Sequence, residues 1–165
     1  ALRTCALMRR GLKIGLGTDV AGGYSHKMLS SVRNAVTTHL AISSADHLSP
    51  KSRCDEVAPG AGDSCDRNDF NFKHAVWLAT VGGASVLGLE KTVGRIAPGY
   101  EFDAFLVRQD IETAIEPAVT RIKDDSLRRF EKWVHLGDDR QIKCVWVRGK
   151  VVSGALAKPS SSDDP

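Results

Sequence analysis

Side chains able to do chemistry are thinly spread in this sequence, and one carboxylate stands apart. Asp19 follows the run Leu12–Thr18 (LKIGLGT) and precedes Val20-Ala21-Gly22-Gly23. An aspartate two residues beyond the end of an apolar run, among small residues, lies where β/α barrels carry metal ligands and general bases. Aspartate also commonly closes turns, so local chemistry alone leaves both readings open. The other acidic pair, Asp138-Asp139 within LGDDR, lies on a turn. Carboxylates in that setting are expected to bind backbone amides or Arg140 rather than a metal. The histidines, His26, His39, His47, His74 and His135, form neither an H-x-H motif nor an i,i+4 pair, and are expected at surfaces or helix caps.

Two other chemistries fail on spacing. Gly15, Gly17 and Gly22 give G-x-G-x-x-x-x-G. A dinucleotide fingerprint needs its third glycine sooner, and a phosphate loop needs Gly-Lys-Ser/Thr. Asp19 would also put negative charge where a pyrophosphate should sit. Cys5, Cys54, Cys65 and Cys144 contain no C-x-x-C pair, and reduced thiols are expected. Trp77, Trp133 and Trp146 lie in apolar patterns and are read as core rather than stacking platforms.

The chain has 165 residues and a formal net charge of +3. That charge is spread along it, and the pairs Arg9-Arg10 and Arg128-Arg129 read as solvated helix faces, so no nucleic-acid partner is expected. No apolar run reaches the length of a membrane span and no signal-peptide core is present, which gives the expectation of a soluble, cytoplasmic protein with no membrane partner.

The elements that must position Asp19 can be read from periodicity. Leu2, Cys5, Ala6 and Leu7 or Met8 suit a helix stopped by Gly11, and residues 12–17 read as a short buried strand. A chain that opens inside an amphipathic helix is expected to be part of a longer one. Met28, Leu29, Val32, Ala35, Val36 and Leu40 make one stripe of a helix over residues 25–42, with Ser25 as its cap. Residues 43–69 are rich in Ser, Asp, Pro and Gly and read as a flexible insertion. Helical periodicity returns over 70–89, where Gly82-Gly83 is expected to break it into two short helices. A Pro98-Gly99 turn, a strand at 104–107, a helix at 124–134 and a hairpin turning at Arg148-Gly149-Lys150 follow, and then a polar tail.

Three stretches together resemble the guanine deaminases, a branch of the amidohydrolase superfamily. GLGTDVAGGYS-x-x-ML-x-x-x-R-x-A (Gly15 to Ala35) is similar to the segment at the eighth barrel strand. LATVGGASVLGLEKTVGRIAPGYEFDAFLV (Leu78 to Val107) resembles the link from the last barrel helices to a small β-domain, and HLGDDRQIKCVWVRGKVV (His135 to Val152) resembles the closing segment. The resemblance implies an α/β fold: the last helix–strand–helix elements of a partial (β/α)8 amidohydrolase barrel, with C-terminal strands of a small β-sandwich. The expected divisions are 1–90 for the barrel portion, with 43–69 inserted, 91–155 for the β-domain and its final helix, and 156–165 for the tail.

It further implies a zinc-dependent hydrolase that deaminates guanine to xanthine and ammonia, with Asp19 as both a Zn²⁺ ligand and a proton-exchanging catalytic group. The family's remaining ligands, an H-x-H and two single histidines, match nothing in this chain, and neither does its proton-shuttling Glu. Stable zinc binding and activity are therefore not expected of the 165 residues alone, which should also expose unpaired apolar faces. Guanine is the implied small-molecule partner. Relatives of this kind are often dimeric, which makes a homodimer an expectation for the complete enzyme. Alternatives are another amidohydrolase (a chlorohydrolase or adenosine-type deaminase relative), or a non-catalytic fragment or binding module.

Overall fold

A computed structural model describes residues 4–48, 70–108 and 126–154. The chain divides into two compact units, Ala1–Glu90 and Lys91–Pro165.

The first unit opens with helix α1 (Thr4–Arg9). Gly11, at φ 79°, ends it: the Gly11 amide donates to the Met8 carbonyl at 2.9 Å and that of Leu12 to the Leu7 carbonyl at 3.2 Å. A left-handed glycine with these two bonds is a helix stop in which otherwise orphaned carbonyls find donors. Helix α2 spans Met28–Leu48. Ser25 lies outside it, and its Oγ accepts from the Lys27 amide at 3.2 Å, closing the turn that leads in. The helix runs six residues past the expected end at Ile42, so residues 43–48 are helical and not part of a loop; residues 49–69 lie outside the described residues. The extension has a packing cause. Val32, Val36, His39 and Ser43 recur at steps of four, three and four and are all buried, which carries the inward stripe beyond Ile42.

Helix α3 (Phe72–Trp77) is opened by Asn71, whose side chain accepts from the Lys73 amide at 3.0 Å. The His74 Nδ1 accepts from the Asn71 amide at 3.2 Å, completing a reciprocal cap. The helix does not break at the glycine pair. A π turn, Leu78–Gly82, passes directly into α4 (Gly83–Val86), and both glycines are right-handed, with φ near −60°. The two glycines are accommodated in and beside a widened turn. Phe70, Phe72, Ala75, Leu78 and Ala84 are buried here. Full burial of a leucine such as Leu78 contributes about 1.5–3 kcal/mol.

The run 12–17 was expected as a strand, yet residues 12–19 have no strand pairing among the described residues; a lone bridge joins Val20 and Gly23. A strand needs a neighbouring ladder, and the described residues of this unit offer none. The segment is held by the π turn and α4 instead. The Leu16 amide donates to the Leu78 carbonyl at 3.1 Å, and Lys13 Nζ donates to the Ser85 carbonyl at 3.2 Å with Glu90 Oε1 at 3.7 Å.

In the second unit, Ala97-Pro98-Gly99-Tyr100 closes a turn with the Tyr100 amide on the Ala97 carbonyl at 3.1 Å and Gly99 at φ 85°, the Pro-Gly preference of a type II turn. Strands β1 (Ala104–Val107), β2 (Ile142–Val147) and β3 (Lys150–Gly154) form an antiparallel sheet in the order β1-β2-β3. The hairpin turns on two residues, Arg148 at φ 50° and Gly149 at φ 74°, and Lys150 already pairs with Val147. Two left-handed residues make the turn whose twist matches its strands. Helix α5 (Ser126–Leu136) buries Trp133 and Val134, with the Trp133 ring 5.4 Å from that of Phe105. Residues 109–125 and 155–165 lie outside the described residues, including the expected helix start at 124 and the polar tail. Among the described residues, no helix is long and apolar enough to cross a membrane.

Candidate functional site

Asp19 sits on a tight turn and is exposed. Its φ of 48° is left-handed, a conformation aspartate tolerates better than most residues, and Ala21 follows at φ 95°. The Asp19 carbonyl accepts from the Gly22 amide at 2.9 Å and also from the Gly23 amide. The glycines are there for room: a Cβ on Gly22 would lie 2.6 Å from Asp19 Oδ2, and one on Gly23 would meet the Thr18 carbonyl.

The turn is tied to α2 by a reciprocal pair. Asn34 Nδ2 donates to Tyr24 Oη at 2.8 Å, and Tyr24 Oη donates to Asn34 Oδ1 at 3.1 Å. Ser25 Oγ also meets Ser30 Oγ at 3.2 Å. Between the turn and α2 runs a groove of about 370 Å³, with Thr18, Tyr24, Ser25, Ser30, Asn34 and Thr38 on its walls. Hydroxyls and an amide of this kind can hydrogen-bond a neutral polar group.

The remaining candidates do not gather around Asp19. Asp138 caps the short 3-10 turn Asp139–Gln141: its Oδ1 accepts from the Arg140 amide at 3.0 Å, and the Arg140 guanidinium forks onto both its oxygens at 2.6–3.1 Å. The hydrogen bond to Asp138, and then its charge, raise the Arg140 pKa above its ordinary value. His26 and His135 are exposed and His74 is a cap, as the sequence suggests. His39 differs. It is 8% exposed, with Nε2 3.4 Å from the buried Ser43 Oγ and its ring 5.4 Å from Phe70, so it belongs to the core of the first unit. Of the tryptophans only Trp133 is buried; Trp77 is 42% exposed and Trp146 half-buried. Cys5 and Cys144 are buried thiols, whereas Cys54 and Cys65 lie outside the described residues. Spacing alone did not reveal Tyr24, Asn34 or the Leu78 carbonyl, which orient the Asp19 segment. The one signal in the sequence that could point to an anchor is the aromatic Tyr24 directly after Gly22-Gly23.

A metal centre can be tested on the donor set. Among the described residues no three His, Cys, Asp or Glu side chains come together to hold an ion. Asp19 is one oxygen donor, and a catalytic zinc takes about three protein ligands. The described residues therefore do not fit a zinc site by themselves.

Residues 5–152 match the model described as the Amidohydrolase family. The chain belongs to that family. This amidohydrolase chain is 35% identical to human guanine deaminase over 153 residues, which is 92% of this chain and 30% of that protein. It thus spans about 30% of the length of the curated relatives it matches. Two solved structures share its fold. A guanine deaminase from C. acetobutylicum, with guanine bound in its active site, matches at a TM-score of 0.63 and 22% identity, over 91% of this chain and 29% of that one. An adenosine deaminase from Xanthomonas campestris with bound zinc matches at 0.58 and 22%, over 90% and 27%.

Proposed function

We propose that this amidohydrolase chain is the C-terminal portion of a guanine deaminase and brings Asp19 to its active site. The observation that carries the reading is the 35% identity to human guanine deaminase across 92% of the chain, a stretch that includes the catalytic candidate. Exposure of Asp19 on a hydrogen-bonded turn beyond the 12–17 run agrees with it. In this reading residues 12–17 are a barrel strand whose partners come from the rest of the enzyme, and β1–β3 are strands of a small β-sandwich. The family's metal, zinc, depends on ligands from outside the described residues.

The reaction is hydrolytic deamination. A water oxygen bonds to C2 of guanine, the C2–N bond to the amino group breaks, and ammonia leaves to give xanthine. The role assigned to this chain is proton transfer: the Asp19 carboxylate takes a proton from the attacking water as its oxygen bonds to C2. Of the two protons that the water brings, one ends on the departing amino group as ammonia and the other on ring N3 of xanthine. Such transfers contribute about 10²–10⁴ in rate. Asp19→Ala in the complete enzyme should accordingly reduce ammonia release from guanine by at least that factor. Full retention of turnover removes Asp19 from the site. Turnover of adenosine in preference to guanine would instead favour the adenosine-deaminase relatives, which share the fold.

A further inference from the structure

Asp19 is held in two separable ways. Its main chain is fixed by the left-handed φ and by the two amides donated to its carbonyl. Its carboxylate lies over the bare Cα of Gly22, where an added Cβ would stand 2.6 Å from Oδ2, 3.2 Å from Cγ and 3.3 Å from Oδ1. Gly22 does not have a positive φ, so its backbone would accept an alanine. What alanine would change is space, and the obstructing atoms all belong to the free end of one side chain, which can rotate away. Gly23 is the opposite case. A Cβ there meets the carbonyls of Thr18 and Asp19, main-chain atoms that cannot turn aside without moving the loop.

We infer that Gly22 is a positioning residue for the Asp19 carboxylate: its missing side chain is the seat in which the carboxylate rests. The inference rests on the catalytic role proposed for Asp19. Filling the seat moves the carboxylate by roughly 1 Å, the distance needed to restore ordinary van der Waals contact. A misplacement of that size costs about 100-fold in rate.

The test uses the complete enzyme with Gly22→Ala, Gly23→Ala and Asp19→Ala. For Gly22→Ala, kcat on guanine should fall about 100-fold while Tm stays within about 2 °C of the parent, because a side-chain rotation relieves the contact. Gly23→Ala should lower Tm. Added to Asp19→Ala, Gly22→Ala should cost no further residual turnover, since the two act through one carboxylate. Full activity in Gly22→Ala, a loss accompanied by unfolding, or an additive loss in the double variant each overturns the inference while leaving the role of Asp19 standing. Full activity in Asp19→Ala overturns that role, and the inference with it.

Discussion

Gly82 and Gly83 are adjacent, helical and almost identical in backbone angle, with φ −61° and −59°, yet the structure predicts opposite responses to alanine. Replacing a helical glycine with alanine gains about 1 kcal/mol from backbone entropy and propensity. At Gly83 nothing opposes that gain: the nearest atom to an added Cβ is the Leu78 carbonyl oxygen at 3.5 Å, an ordinary contact. At Gly82 the same Cβ would lie 2.6 Å from the Ile14 carbonyl oxygen and 3.0 and 3.2 Å from the Trp77 ring. Overpacking costs about 1–3 kcal/mol, and a main-chain carbonyl that cannot rotate away belongs at the upper end. Subtracting the propensity gain leaves Gly82→Ala destabilised by about 2 kcal/mol and Gly83→Ala stabilised by up to about 1. Denaturant midpoints measured side by side should rank Gly83→Ala at or above the parent, and Gly82→Ala below it. If Gly82→Ala is as stable as Gly83→Ala, residues 12–17 are not packed on the π turn as described.

Two further substitutions probe the turns. Ala21 at φ 95° is strained, a conformation that costs a non-glycine residue about 1–3 kcal/mol, so Ala21→Gly should raise stability by about 1 kcal/mol in thermal denaturation; a lower Tm would contradict the turn geometry. Asp138→Ala removes the cap of the 3-10 turn and should cost about 1 kcal/mol. That loss should be nearly the same at low and high salt, because the exposed ion pair to Arg140 contributes little, and a strong salt dependence would show that the pair rather than the cap matters.

Elements that close on themselves were legible in the sequence. Gly11 as a helix stop, the Pro98-Gly99 turn and the β2–β3 hairpin depend on local turn chemistry, which a short window contains. Elements that depend on distant partners were harder to read. The apolar run at 12–17 has strand composition, but pairing is a property of neighbours, and the described residues of its unit supply a helix carbonyl instead of a ladder. Ser43 and His39 look polar in sequence yet continue the buried face of α2, because each gives the other a hydrogen-bonding neighbour away from water. For the candidate site, the small-residue turn singled out Asp19. The Tyr24–Asn34 clamp did not show, because its ten-residue spacing follows no periodicity.

The π turn at Leu78–Gly82 has a consequence for how such sequences align. A widened turn is equivalent to one residue inserted in a regular helix. The Leu78 carbonyl accepts the amide of Gly83, five residues on, and also that of Leu16. A version of this chain shorter by one residue between 78 and 82 would close into an ordinary α-helix and align with a single gap that looks neutral. Its Leu78 carbonyl would then be engaged four residues on in place of five, and because the widened turn absorbs the extra residue, the side chains beyond would keep the faces they have here.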